Sequence, residues 1–358
     1  MDYGKESLVS IMLEFVRAAV LERVPIIPQD IKIDWDRLMD LSVEQNLLAL
    51  VWEGIRKLSD NRQPDRNQRI NWGLSAEETC RTFNSQAKVL KKILNTCEQN
   101  DMRLLLLKGI SLSSLYPHPQ ERSCSDIDIF LFNDYEKGNQ IWSSCLIKEI
   151  GKHSTFNIDN VIVENHNNFL EPNTRQKRRI IKYLYSSMDK AVLTDDGYYV
   201  LDPLANFLFL TFHALKHFYG GTIIPIRNIL DLALFIRTNS DCLIPFQCNK
   251  LLKQMHLEKS FEMLLCMSEW ILDLDIPNYH FQKLPSGDLC LMKSELYCGA
   301  NRYMEEGGNK MTIVQRNKSI SKLIVSKYIP RNKSYKQIYV SEIISWVKKL
   351  KYYLYSQI

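Results

Sequence analysis

Two aspartates stand two residues apart inside the otherwise apolar segment 123–132. Successive side chains of a β-strand point to opposite faces, so Asp126 and Asp128 share one face while Ile127 and Ile129 point to the other, into a core. Such carboxylates repel each other unless a positive group lies between them. Magnesium prefers oxygen ligands, binds through one or two carboxylates plus substrate phosphates, and often works in pairs. The sequence therefore predicts a Mg²⁺ (or Mn²⁺) site, and a nucleotide site is the first hypothesis.

The segment before this strand supplies the rest of a pattern, of which three pieces follow in chain order: an apolar strand at 103–107, the turn Lys108-Gly109-Ile110-Ser111 with a short helix at 112–116, and the strand with Asp126-Ile127-Asp128. This order resembles the nucleotidyltransferase superfamily with the polymerase-beta-like palm. The chain also resembles a group of uncharacterised bacterial nucleotidyltransferases in three successive sequence motifs: Leu-Lys-Gly, Leu-Tyr-Pro and Arg-x-x-x-Asp-Ile-Asp. The resemblance spans most of the chain and is specific over residues 104–132.

The resemblance implies an α+β fold, in which a small mixed palm sheet with helices is flanked by N-terminal and C-terminal helical regions. The expected division is a helical region at 1–75, a palm-like domain at 76–200 and a helical domain at 201–358. The implied activity is metal-dependent transfer of a nucleoside monophosphate from a nucleoside triphosphate, most simply ATP, to an acceptor, with release of pyrophosphate. The acceptor, the base preference and the oligomeric state are not encoded in any motif.

A third acidic residue on a later strand completes the superfamily pattern. Residues 161–166 alternate as a strand, with Glu164 and His166 on one face, and Asp159-Asn160 before them is a good two-residue hairpin turn. Glu164 is therefore predicted as the third catalytic and metal-binding carboxylate, since Asp159 is explained by the turn. His166 would touch the same substrate or hydrogen-bond a neighbour.

Four residues near the strand that carries Asp126 and Asp128, called the metal strand below, are candidates for binding the nucleotide. Lys108 offers a point cation and Arg122 a bidentate guanidinium to a triphosphate. Gly109 lets the backbone approach an anion, and Ser111 belongs to the same turn. Because the turn reads Lys-Gly-Ile-Ser and not Gly-Ser, the group that contacts the triphosphate stays open. For Arg122 the alternative is a salt bridge that orients one of the paired aspartates.

Two later helices carry further candidates. Asn206, His213 and His217 fall on one stripe of an apolar helix, where a histidine could contact the nucleotide or acceptor. A second interpretation is a zinc site formed by the two histidines, but no acid stands between them as in a His-Glu-x-x-His motif. The third interpretation is that both histidines lie in the core and are satisfied by hydrogen bonds. Arg227 and Asp231 lie four apart, in the less favourable order for a helical ion pair. A similar Arg-x-x-x-Asp in the resembling family implies a role in holding the nucleotide or closing the site.

Apolar spacing and capping signals predict the other helices. In the first hundred residues we expect helices over 8–24 and 34–58, a polar linker at 59–69, and a helix begun by the capping box Ser75/Glu78 and running to about 98. Later in the chain, one helix is expected to begin near Asn133, and four more are expected over 204–219, 226–237, 245–255 and 260–274.

Composition fits a well-packed protein, with 45% hydrophobic residues in 358. No uncharged apolar run reaches about 18 residues, and Asp2, Glu6 and Glu14 do not suit a secretory signal. We therefore expect a cytoplasmic protein without a transmembrane segment. Nine cysteines without a Cys-x-x-Cys pair argue against a zinc site and a disulfide framework.

The C-terminal segment 310–358 is basic, with eleven Lys or Arg and one acid, and aromatic residues are interleaved with them. This segment could bind an anionic membrane surface or nucleic acid. Binding of nucleic acid would make the protein an RNA end-modifying enzyme. The alternative is a helical hairpin with solvated lysines. From another class, a catalytically inactive, nucleotidyltransferase-like regulator or scaffold would explain the altered turn.

Overall fold

The structure, a computed structural model, describes residues 3–219 and 225–273, and the side chains over 8–149, 151–216 and 225–273. The basic segment 310–358 lies outside the described residues, so its predicted nucleic-acid role stays a prediction. Within the described ranges, no helix is both long and apolar enough to span a bilayer.

Four helices form the N-terminal part: α1 (Tyr3–Val20), α2 (Trp35–Glu44), α3 (Leu48–Arg56) and α4 (Arg66–Gln99). The single helix predicted over 34–58 is broken at Asn46, which adopts a left-handed φ of 57°. The predicted start at Ser75 is wrong, because the Asp65 side chain accepts a hydrogen bond from the Gln68 N–H and begins α4 earlier. Helix α4 therefore runs across residue 75, and the three-domain division stays a prediction.

Seven strands among the described residues form one mixed sheet: β1 (Leu105–Leu106), β2 (Asp126–Phe130), β3 (Leu146–Ile150), β4 (His153–Ile158), β5 (Val161–His166), β6 (Val192–Leu193) and β7 (Tyr199–Val200). Their order is β3-β4-β5-β2-β1-β7-β6. Strand β2 pairs antiparallel with β1 and parallel with β5, which itself forms an antiparallel hairpin with β4. The expected mixture of helices with a mixed sheet is thus confirmed at the level of fold class.

The remaining α-helices are α5 (Tyr135–Ile141), α6 (Arg175–Ser186), α7 (Pro203–Tyr219), α8 (Ile226–Thr238), α9 (Pro245–Met255) and α10 (Glu258–Leu272). The predicted bounds of α9 are confirmed, and those of α7 and α8 agree within one residue. Helix α5 begins later than predicted, because the chain turns at Phe132 with a φ of 53° and Asp134 becomes the N-cap.

The two faces of the sheet pack differently. Ile127 and Ile129 of β2 are fully buried in a core with Val89 and Ile93 of α4. On the opposite face, Phe130 belongs to the larger core, which includes apolar residues of α7, α8 and α10. Since Asp126 and Asp128 alternate with the isoleucines, they share the face of Phe130. The paired acids therefore face the side of the sheet on which α7 and α8 pack.

Candidate active site

The β4–β5 hairpin brings a third carboxylate to the paired aspartates. Asp159 and Asn160 both adopt left-handed φ angles, 51° and 64°, as a tight hairpin turn requires. Strand β5 runs beside β2 in a register that sets Glu164 opposite Asp128. One ligand oxygen from each of Asp126, Asp128 and Glu164 lies within 4.8 Å of the others. The three acids predicted from the sequence therefore meet on one face of the sheet.

The two aspartates differ in electrostatic environment. Burial raises the pKa of Asp126, and the charges of Asp128 and Glu164 raise it further. Burial alone would also raise the pKa of Asp128, but Lys108 and His166 outweigh it and hold this pKa well below its usual range. Asp128 is thus held as a carboxylate, whereas the negative charge on Asp126 is less favourable than that of an aspartate in water.

Lys108 is the positive group nearest to this cluster. Its ammonium donates a hydrogen bond to Asp128 Oδ2, and the lysine side chain is mostly buried. Burial alone would lower the pKa of Lys108, but Asp128 and Asp126 raise it above its ordinary value. The protonated lysine therefore neutralises part of the acid cluster, and its predicted contact with a triphosphate stays a prediction.

The turn after Lys108 presses its backbone against the metal strand. Gly109 has a φ of +70°, and a Cβ placed on it would lie 2.9 Å from Cys124 Sγ and 3.2 Å from the Asp126 carbonyl oxygen. The predicted short helix is a 3₁₀ helix, Gly109–Leu115, and half-buried Ser111 lies near its start. Glycine is required here both for the left-handed backbone and for the close approach.

We expect Gly109→Ala to destabilise the protein by about 2–3 kcal/mol, combining backbone strain of about 1 kcal/mol with the collision. The matched control is Gly197→Ala, because Gly197 has a φ of +87° but a Cβ placed on it would meet no atom within 4 Å beyond its chain neighbours. The control should lose only about 1 kcal/mol. Urea unfolding of both variants measures the difference, and equal losses would contradict a packing role for Gly109.

A buried ion pair ties the loop before β2 to α8. Arg122 donates from Nε to Asp231 Oδ1 at 2.9 Å and from Nη2 to Asp231 Oδ2 at 2.7 Å. The Tyr116 hydroxyl donates to Asp231 Oδ1 at 2.7 Å. The alternative of a salt bridge from Arg122 to one of the paired aspartates is therefore wrong, since Asp231 takes two of its nitrogens. Among the described residues, Arg122 Nη1 has no hydrogen-bond partner.

The spacing of Arg227 and Asp231 suggested an ion pair within the helix, but Arg227 makes a different contact. Its Nη1 donates to the Ser123 carbonyl oxygen at 2.6 Å, just before the metal strand. Its Nε is buried and meets no acceptor in the part of the chain that is described. The guanidinium therefore retains an N–H that could bind an anion.

Several of these groups line one cleft, which is partly open to solvent. Its wall includes Lys108, Gly109, Arg122, Asp126, His213 and Arg227. The cleft therefore joins one member of the acid cluster, Asp126, to the two arginines and gathers most of the predicted nucleotide-binding residues. His217 lies on α7, and its side chain is outside the described residues.

Three groups beside the acids were missed as site residues. His153 faces His166 across the β4–β5 hairpin, and its Nε2 lies 3.3 Å from Glu164 Oε1. Lys152 Nζ lies 3.1 Å from His166 Nδ1. On α7, burial together with the charges of Lys108 and Lys152 lowers the pKa of Lys216 to about 7. The alternation of 153–158 could have identified His153, but the two lysines carry no motif.

Comparison with known families gives one match. A family model described as an uncharacterised nucleotidyltransferase matches residues 32–273. No curated protein and no solved structure matches the chain.

Proposed function

The chain belongs to the family of uncharacterised nucleotidyltransferases, and we propose that it transfers a nucleoside monophosphate from a nucleoside triphosphate, most simply ATP, to an acceptor hydroxyl or phosphate. Pyrophosphate is the second product. The observation that carries this proposal is the meeting of Asp126, Asp128 and Glu164 on one face of the sheet. Asp126 also lines a cleft together with two arginines, each with an N–H group that no described residue accepts.

The donor set fits a pair of hard divalent cations. All three side chains offer oxygen, which Mg²⁺ and Mn²⁺ prefer. The repulsion that raises the pKa of Asp126 is the kind that a bound cation relieves. Asp126 and Asp128 would hold the ions, with Glu164 as the third carboxylate. When bound, such ions lower the pKa of an attacking oxygen and neutralise charge on the leaving pyrophosphate.

The cationic side chains of the cleft suit the triphosphate. Lys108 would exchange part of its contact with Asp128 for a phosphate oxygen once a cation neutralises that carboxylate. Arg227 already lies along the cleft with its Nε unpartnered by any described residue, and Arg122 offers Nη1. A charge-assisted hydrogen bond to phosphate would satisfy each of these buried donors. Roles in nucleotide binding for Ser111, His213, His217 and Asp231 remain part of the proposal.

The test is transfer of label by the full-length protein. ATP labelled at the α-phosphate, and separately at the γ-phosphate, is incubated with Mg²⁺ and with the small-molecule, RNA or protein fraction of a cell extract. We expect label in one fraction from the α-position only, and none with EDTA. The other three nucleotides, labelled in the same way, define the base preference.

Two results would contradict the proposal. Label acquired from the γ-phosphate would indicate a kinase. Metal-dependent ATP binding without transfer to any fraction would favour a catalytically inactive regulator.

A further inference from the structure

Behind Asp128 lies a chain of two hydrogen bonds. His166 Nε2 lies 2.9 Å from Asp128 Oδ1, and His166 Nδ1 lies 3.1 Å from Lys152 Nζ. His166 is 1% exposed and Asp128 is fully buried. Lys108 contacts the other carboxylate oxygen of Asp128. Both oxygens of this aspartate are therefore held by named donors before any cation arrives.

The direction of these hydrogen bonds follows from the chemistry of lysine. Burial lowers the pKa of Lys152, but in its charged form this lysine has three N–H donors and no acceptor, so His166 Nδ1 accepts from the charged Lys152. A neutral imidazole whose Nδ1 accepts carries its proton on Nε2. That proton faces Asp128 Oδ1 at 2.9 Å, and Glu164 Oε2 lies farther from the same nitrogen, at 3.5 Å. Lys152 thus selects the tautomer in which His166 donates to the aspartate.

We propose that Lys152 and His166 are positioning residues that fix the orientation of the Asp128 carboxylate for cation binding. The inference rests on the metal site of the proposed function. Groups behind metal ligands orient them, and their loss commonly weakens metal binding 10- to 100-fold. In this protein Lys152 would position Asp128 through His166, because its ammonium sets the histidine tautomer, while its charge also acts directly on Asp128 and Glu164.

The same geometry argues against a nitrogen-containing metal site at this place. His153, Glu164 and His166 also have ligand atoms within 4.8 Å of one another. Coordination by His166 Nε2 requires a bare nitrogen, whereas the contact with Lys152 puts the proton there. In this tautomer His166 suits the orientation of a carboxylate ligand better than direct coordination.

Two substitutions of one histidine separate these roles. In His166→Gln the amide nitrogen takes the place of Nε2 and keeps a donor for Asp128; in His166→Asn the amide reaches only the position of Nδ1. Binding of Mn²⁺ to the full-length protein without nucleotide is measured by calorimetry. We expect the dissociation constant to rise about tenfold or more in His166→Asn and to stay within about threefold of wild type in His166→Gln. Equal weakening in both variants would overturn the proposal, because it is the result expected of a ligand.

A double-mutant cycle tests the part played by Lys152. Lys152→Met should weaken Mn²⁺ binding in the wild-type background, since both tautomers become available. It should not weaken binding in His166→Gln, which has no tautomer to select and in which only the repulsion between Lys152 and the cation is removed. Lys182→Met, at an exposed position of α6, is the charge-matched control. Equal weakening by Lys152→Met in both backgrounds would overturn an indirect role.

The outcome separates this inference from the proposed function. Wild-type protein that binds no Mn²⁺ would remove the metal site on which the proposed function depends. Wild-type binding with unchanged affinity in His166→Asn would remove only the positioning role. Urea unfolding of each variant checks that the fold is retained.

Discussion

Asp126→Asn should lower nucleotidyl transfer by about 10³-fold or more while leaving the free energy of unfolding unchanged or slightly increased. The rate loss follows because a metal ligand is worth several kcal/mol in the transition state and each 1.36 kcal/mol is a factor of ten. The free energy of unfolding should not fall, because burial and two neighbouring carboxylates raise the pKa of Asp126 and so disfavour its charge. Asparagine keeps the shape and removes the repulsion.

Asp128→Asn is the matched comparison, on the same face of the same strand. It should lose as much activity, but it should also be destabilised by about 3 kcal/mol, because the buried Lys108 ammonium loses its ionic partner. Unfolding in urea with EDTA present measures the stability of the metal-free proteins, and transfer of α-phosphate label measures the activity. Full activity of Asp126→Asn would refute the carboxylate mechanism. Destabilisation equal to that of Asp128→Asn would refute the electrostatic difference between the two aspartates.

The sequence predicted the acid cluster because its determinants are local. The two-residue period of β2 sets the face of Asp126 and Asp128, and the same period in β5 sets the face of Glu164. The Asp159-Asn160 turn is a local signal that places β5 against β4. The parallel pairing of β2 with β5 was not predicted, because the resemblance implied only that a third acid lies on a later strand.

Other features could not be predicted, because they depend on distant contacts or on competing local signals. Asp65 and Ser75 both suit an N-cap, and α4 begins at Asp65, which also places Trp72 in the core. The partner of Arg122 is 109 residues away on α8. Spacing alone suggested an ion pair between Arg227 and Asp231, whereas Arg227 reaches the backbone of Ser123.

Among the substitutions considered, breaking the buried ion pair of Arg122 and Asp231 should lower the free energy of unfolding the most. Asp231→Ala leaves the Arg122 guanidinium and the Tyr116 hydroxyl buried without their acceptor, and removing one member of a buried pair costs about 3–5 kcal/mol. Burial alone would raise the pKa of Asp231, but Arg122 lowers it below its ordinary 3.8. The stabilisation is therefore fully present above pH 3.8 and is lost as the pH falls through the lower folded-state pKa. The difference in unfolding free energy from wild type should narrow over that acidic range.

Replacing both charges distinguishes a structural role from nucleotide binding. Arg122→Met combined with Asp231→Leu removes the unpaired charge, so it should recover most of the stability that Asp231→Ala loses. If Arg122 Nη1 also binds phosphate in the cleft, the stable double variant should still show a KM for the nucleotide raised on the order of tenfold, the loss of one charge-assisted hydrogen bond. Wild-type KM in a stable double variant would assign the pair to the fold alone. Failure of the double variant to regain stability would show that charge balance alone does not hold the loop before β2 against α8, and that the hydrogen bonds of Arg122 and Tyr116 to Asp231 also contribute.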